Sequence, residues 1–198
     1  MSEQIFNKRQ KILKNKLAEQ GFDGILLVNL TSIRYLCGFT GSAASCLITP
    51  EGSYFISDGR YDVQSTNQVK GLERFIDFGT HISIIEKNNL IKNGLKLAFE
   101  SDHTSVSRFK EMSDTLPNVS WESTTMLMEN LQAVKDQSEL DAIRTAVEIT
   151  DVIYEEILPM LTPGTTEKEV SNHLVLRYRQ ERAEACHGDA QGRAIPSW

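Results

Sequence analysis

The sequence predicts an α/β fold: a mixed sheet with helices on both faces, followed by two helices that begin a second domain. Three observations predict it. Short apolar or alternating runs at 24–30, 44–49, 53–57, 74–78, 95–99 and 119–121 are separated by stretches of helix length, the alternation of a sheet covered on both sides. Pro50-Glu51-Gly52 joins two of these runs by three residues ending in glycine, which predicts one antiparallel hairpin inside the sheet. After about residue 130 the texture changes, and positions 136–161 contain no glycine.

Taken in order, residues 4–20 place Ile5, Ile12, Leu13 and Leu17 among Lys, Arg and Gln, an amphipathic helix stopped by Gly21. Residues 24–30 form a continuous apolar run suited to a central strand buried on both faces. Residues 44–49 and 53–57 make the hairpin, and the later runs supply three more strands. Helices are expected at about 61–70, 80–92 and 104–116. Beyond them, Leu140, Ile143, Val147, Thr150, Tyr154, Ile157 and Leu161 recur at spacings of three and four, one stripe of a helix roughly 35–40 Å long at 1.5 Å per residue. Asp136 and Glu139 give that helix a capping-box start, and Thr166 and Glu169 give one to a second helix running to about Arg182 after the break at Thr162-Pro163-Gly164. The domains are therefore 1–130, an α/β unit; 131–183, two helices; and 184–198, a tail without helical or strand period.

Composition excludes several function classes. The 21 Lys and Arg against 27 Asp and Glu give a formal charge of −6, the wrong sign for a nucleic-acid or anionic-membrane binder. The longest uncharged stretch, 35–50, is broken by glycine and serine and falls short of the ~20 apolar residues a spanning helix needs. The start has an early acid and no long apolar core, unlike a secretory signal. Cys37, Cys46 and Cys186 lack zinc or redox spacing, so they read as small buried hydrophobes and the chain as cytoplasmic.

No hydrolase, zinc or phosphate-loop motif occurs. Gly38-Phe39-Thr40-Gly41 lacks the lysine that gives a phosphate loop its meaning, and reads as a tight connection. Cys186-His187-Gly188-Asp189 is the one local cluster of metal-capable types, without the ligand number or supporting shell of a metal site. His81, His103 and His173 are isolated and are expected to face solvent or a partner. Asp58-Gly59-Arg60-Tyr61 lies where a strand ends and a helix begins, the end of an open α/β sheet at which ligands bind. There Asp58 also suits a helix cap, and Arg60 and Tyr61 suit anchors.

Two groups of segments carry a family resemblance. Asp23-Gly24-Ile25-Leu26-Leu27-Val28, then Ile33-Arg34-Tyr35-Leu36-Cys37-Gly38-Phe39-Thr40-Gly41-Ser42, and Asp58-Gly59-Arg60-Tyr61 resemble the amino-terminal domain of the creatinase, prolidase and aminopeptidase P group. Lys135-Asp136, Glu139-Leu140, Ile143-Arg144 and Ala146, followed by residues 163–170, resemble the opening helices of its carboxy-terminal "pita-bread" domain. The resemblance covers about residues 5–183. It implies a creatinase-type amino-terminal domain and a proline-specific metallopeptidase, an Xaa-Pro aminopeptidase or dipeptidase acting on proline-containing peptides. Two divalent metals, often manganese, are held in that group by two Asp, one His and two Glu and activate a bridging water. All five ligands lie beyond the second pita-bread helix, so no catalytic or metal residue carries over to this chain, and His187 and Asp189 do not match. The sequence leaves the family pattern near residue 184, and Ser32 stands where many members have Asn.

The resemblance further implies a homo-oligomer, a dimer, in which this part mediates assembly and shapes the neighbour's substrate entrance. Arg34, Tyr35, Asp58, Arg60 and Tyr61 are the interface or entrance candidates. The apolar stripe of 140–161 is expected to pair with a second copy or to fold back on the first domain. The alternatives are a stand-alone oligomerisation or regulatory module, and part of a creatinase-like amidinohydrolase.

Overall fold

The computed structural model describes residues 3–181, together with the backbone of 186–188 and 194–196. Helix α1 (Glu3–Glu19) buries Phe6, Leu13 and Leu17, while Ile12 stays exposed. Its covered face is thus rotated away from the Ile5–Ile12 line, because Phe6 is the larger apolar group. Strand β1 (Gly24–Leu27) follows. A Cβ at Gly24 would sit 2.1 Å from the Ile48 carbonyl oxygen, so only glycine admits the neighbouring strand there.

The run predicted as one strand through residue 30 turns instead at Asn29. Its side-chain oxygen accepts from the Thr31 amide and caps α2 (Leu30–Cys37), which Gly38 ends at φ +84°. Strands β2 (Ser45–Ile48) and β3 (Ser53–Ser57) form the expected hairpin. A single 3₁₀ turn over Gly59–Tyr61 leads into α3 (Asp62–Gln68), then β4 (Glu73–Ile76), α4 (His81–Lys87), β5 (Lys96–Glu100), α5 (Val106–Thr115) and β6 (Ser120–Thr124). Helix α6 (Leu127–Ala133), which the sequence did not suggest, seals the end by burying Leu127 and Met128.

The six strands lie in the order β4-β3-β2-β1-β5-β6. Only β2 runs against its neighbours, and β1–β5, β3–β4 and β5–β6 pair in parallel. Five strands therefore bring their carboxyl ends to one rim. Alternate residues feed two cores. Ile25, Leu27, Cys46, Ile48, Phe55 and Ala98 meet α1, α2 and α6 on one face, whereas Leu26, Leu47, Ile56, Leu97 and Phe99 meet α4 and α5 on the other. Burial on both faces is what makes the central strands read as unbroken apolar runs.

The chain divides into two units, up to Val134 and from Lys135 onward. The second holds α7 (Gln137–Ile157) and α8 (Glu167–Gln180). Both capping boxes form as predicted, Asp136 with Glu139 and Thr166 with Glu169. Helix α7 stops short of the predicted length, because Pro159 draws Leu158–Met160 into a 3₁₀ turn. Its 21 residues span about 31 Å. Arg177 of α8 donates from Nε and Nη2 to the Glu156 carboxylate of α7, at 2.6 and 2.8 Å. Beside that pair Ile153 and Ile157 are buried, whereas Leu140, Ile143, Val147, Tyr154 and Leu161 remain 37–61% exposed. In the tail, Cys186–Gly188 (β7) and Ala194–Pro196 (β8) pair antiparallel, three-residue strands held by backbone bonds that need no apolar period.

Candidate functional site

The rim at the carboxyl ends of the parallel strands gathers most of the candidate chemistry. Strand β3 delivers Asp58 there, and its side chain accepts from the Arg60 amide at 3.0 Å, capping the 3₁₀ turn. The same carboxylate receives Nε and Nη2 of Arg60, both at 2.9 Å, in a two-pronged pair. The Arg60 guanidinium holds the Asp58 carboxyl down at about 2. Arg60 is 74% exposed along its side chain and also lies over the Tyr61 ring, 5.5 Å from its centre.

Tyr61 joins this turn to the loop after α2. Its ring meets Phe39 edge-on at 5.4 Å, and Phe39 meets Phe55 at 4.7 Å. Its hydroxyl is 2.6 Å from the Ser42 hydroxyl. A Cβ at Gly41 would run into both the Phe39 and Tyr61 rings, the nearest atom at 2.3 Å, so the Gly38–Gly41 spacing serves close packing and not phosphate binding. Gln68 accepts from the Thr40 amide at 3.0 Å, and Gln64 donates to Thr40 Oγ1 at 3.2 Å. The loop at 39–42 is thereby fastened to α3 at several points.

Asp58, Arg60 and Tyr61 are thus brought together. The other two candidates are not part of this cluster. Tyr35 is engaged from α1: the Arg9 guanidinium lies 4.1 Å from its ring centre and donates to its carbonyl at 2.9 Å. Arg34 occupies the exposed side of the last turn of α2.

Two groups at the rim escaped sequence reasoning. Glu100, 6% exposed at the end of β5, accepts from the Ser32 hydroxyl at 2.7 Å and from the amides of Val28 and Asn29 at 3.3 and 3.2 Å. It thereby satisfies the backbone where β1 gives way to α2. Ser32, the departure from the family pattern, is the hydroxyl partner of that carboxylate. His81, expected to face solvent or a partner, is instead half-buried at the start of α4, with Nδ1 2.8 Å from Ser45 Oγ. Burial pushes its pKa below the ordinary value, and the Arg108 charge pushes the same way. His103 remains exposed, 3.0 Å from Asn29 Nδ2, and His173 sits 3.4 Å from the Glu156 carboxylate.

Cys37 and Cys46 are fully buried in one core, as small hydrophobes. Among the described residues no group of three or more His, Cys, Asp or Glu side chains is placed to share a metal ion. The described residues therefore do not fit the paired metal that the family resemblance implies. The side chains of Cys186, His187 and Asp189 lie outside the described residues. No helix among the described residues is long and apolar enough to cross a membrane.

A six-stranded mixed sheet with one reversed strand, covered on both faces, and a capped Asp-Gly-Arg-Tyr turn at its rim together define the class of α/β domain. The profile of the creatinase/prolidase N-terminal domain matches residues 9–134, and the chain belongs to that family. An Xaa-Pro dipeptidase from Bacillus anthracis is 33% identical and superposes with a TM-score of 0.80, over 89% of this chain and 49% of its own. For an X-Pro aminopeptidase from Thermotoga maritima MSB8 the values are 29% and 0.76, over 89% of this chain and 50% of that one. The uncharacterized peptidase YqhT of Bacillus subtilis (strain 168) is 30% identical over 178 residues, 89% of this chain and 50% of its own length. The chain spans about half the length of these relatives.

Proposed function

We propose that this chain is the amino-terminal part of an Xaa-Pro-specific peptidase of the cytoplasm. In this reading it is non-catalytic by itself, assembles as a homodimer and helps to shape a substrate entrance for proline-containing peptides. The observation that carries the reading is the likeness to the Bacillus anthracis Xaa-Pro dipeptidase, which runs through 89% of this chain, both units included, and accounts for 49% of that enzyme. The metal pair, manganese by family resemblance, belongs in this reading to sequence corresponding to the other half of the relatives. The exposed stripe of α7 is then the surface which that half covers. Burial there is favourable at about 25 cal/mol per Å² of apolar area.

The Asp58–Arg60 pair and the loop at 39–42 suit an entrance or interface role because they are held rigidly yet stay accessible. A stand-alone assembly module is the second reading, favoured by a first unit whose two cores are complete without further chain. The test combines activity with mass. The purified chain, given manganese and an Xaa-Pro dipeptide, is expected to release no proline and to sediment as a dimer. Metal-dependent release would overturn the non-catalytic assignment, and a monomer at all concentrations would overturn the assembly role.

A further inference from the structure

A crevice of about 290 Å³ opens at the same rim, on the face covered by α4 and α5. Its walls include Val28 at the end of β1, Ser45 at the start of β2, Thr80 and His81 entering α4, and Arg108 and Glu111 on α5. This is where the sheet changes direction. The chain progresses outward from β1 through β2 and β3 to β4, then crosses back through α4 to β5 on the other side. Helices diverging from such a switch point leave a crevice outside the strand ends, the place where open α/β sheets bind ligands.

The lining carries both signs of charge. Arg108 and Glu111 stand one turn apart on α5, yet neither has an ion-pair partner among the described residues. The charges of Arg108, Asp58 and Glu111 all act on His81, whose Nδ1 is tied to Ser45. A guanidinium, an imidazole and a carboxylate thus line one opening, and Val28 adds an apolar side chain to it. The volume lies just below the ~300 Å³ at which drug-sized ligand sites begin, which restricts the occupant to a small molecule.

We propose that this crevice binds a small zwitterion, an α-amino acid with a compact apolar side chain, its carboxylate on Arg108 and its ammonium on Glu111. The site needs only the first unit, and stands whether or not the chain belongs to a peptidase. Both charged groups are surface-accessible, so the neutral variants Arg108→Gln and Glu111→Gln keep the fold, checked by unchanged ring signals of His103.

The experiment follows the His81 ring by NMR while L-alanine, acetate or inorganic phosphate is added to the full chain. Saturable shifts with L-alanine are expected, with acetate at least about tenfold weaker. Arg108→Gln should abolish binding, and Glu111→Gln should bring L-alanine down to the level of acetate. The proposal is overturned if L-alanine gives no saturable shift, if acetate or phosphate binds as well as L-alanine, or if either variant binds L-alanine unchanged. Should Arg108→Gln fail to fold, the comparison of L-alanine with acetate in the parent and in Glu111→Gln decides alone.

Discussion

The two units obey the same local rules and reach different ends. In the first, every central strand buries both of its faces, and Leu26, Leu47 and Leu97 are wholly hidden. In the second, α7 and α8 have good caps and a buried join at Ile153 and Ile157, yet Val147 and Leu161 remain 49% and 58% exposed. Caps and helical period therefore suffice to form a helix, but only a second layer gives its stripe anything to bury against.

The largest expected effect breaks or upholds that contrast directly. Leu26→Ala should cost about 3 kcal/mol, because it opens a cavity between two filled layers. Val147→Ala on the α7 stripe should change stability by no more than about 0.5 kcal/mol. Urea denaturation of the two variants measures both, and equal losses would show that the stripe is already covered in solution, by a second copy for example.

A smaller effect comes from Glu100→Ala, which strands the Ser32 hydroxyl and two amides behind β1. The cost should be roughly 2 kcal/mol by the same denaturation, with the second unit's helical signal unchanged. If α7 and α8 lose structure with it, the units are energetically one.

The smallest effect separates the units by pH. His81 has a folded pKa below its ordinary 6.5, chiefly through burial. The unfolded chain therefore takes up the proton first, so its contribution is complete above 6.5 and is lost as pH falls toward the folded value. Glu156 in the second unit is also lowered, by Arg177. Its contribution is lost only as pH falls below the ordinary carboxylate value of 4.5. Thermal unfolding of the first unit should accordingly begin to weaken as pH falls below 6.5, and that of the second only below about 4.5. His81→Gln should remove the earlier loss, and its persistence in that variant would refute the assignment.

What the sequence made legible follows from range. The hairpin turn at Pro50-Glu51-Gly52 and the Asp136–Glu139 and Thr166–Glu169 boxes are contacts over a few residues, and all three formed. Helix α2 is hidden because Val28 and Leu30 prolong the apolar run of β1, and the start signal between them is the single Asn29 cap. Within the site, Asp58 and Arg60 are two positions apart and could be paired on paper. Glu100 finds Ser32 across 68 positions, and His81 finds Ser45 across 36. No local period encodes such meetings, since they exist only once the sheet brings strand ends together.

The single reversed strand also sets a timetable. In the β2–β3 hairpin Ile48 meets Ser53, five positions on, whereas β1 meets its parallel neighbour through Gly24 and Leu97, 73 positions apart. Hairpins close in ~1–10 μs, while long-range parallel pairing is slow. On a ribosome, β1 thus waits with one edge bare until residues 96–100 have emerged, an interval in which that edge is open to the wrong neighbour. Glu100 is the last residue of the strand that ends the wait, and its carboxylate then locks the end of β1 behind it.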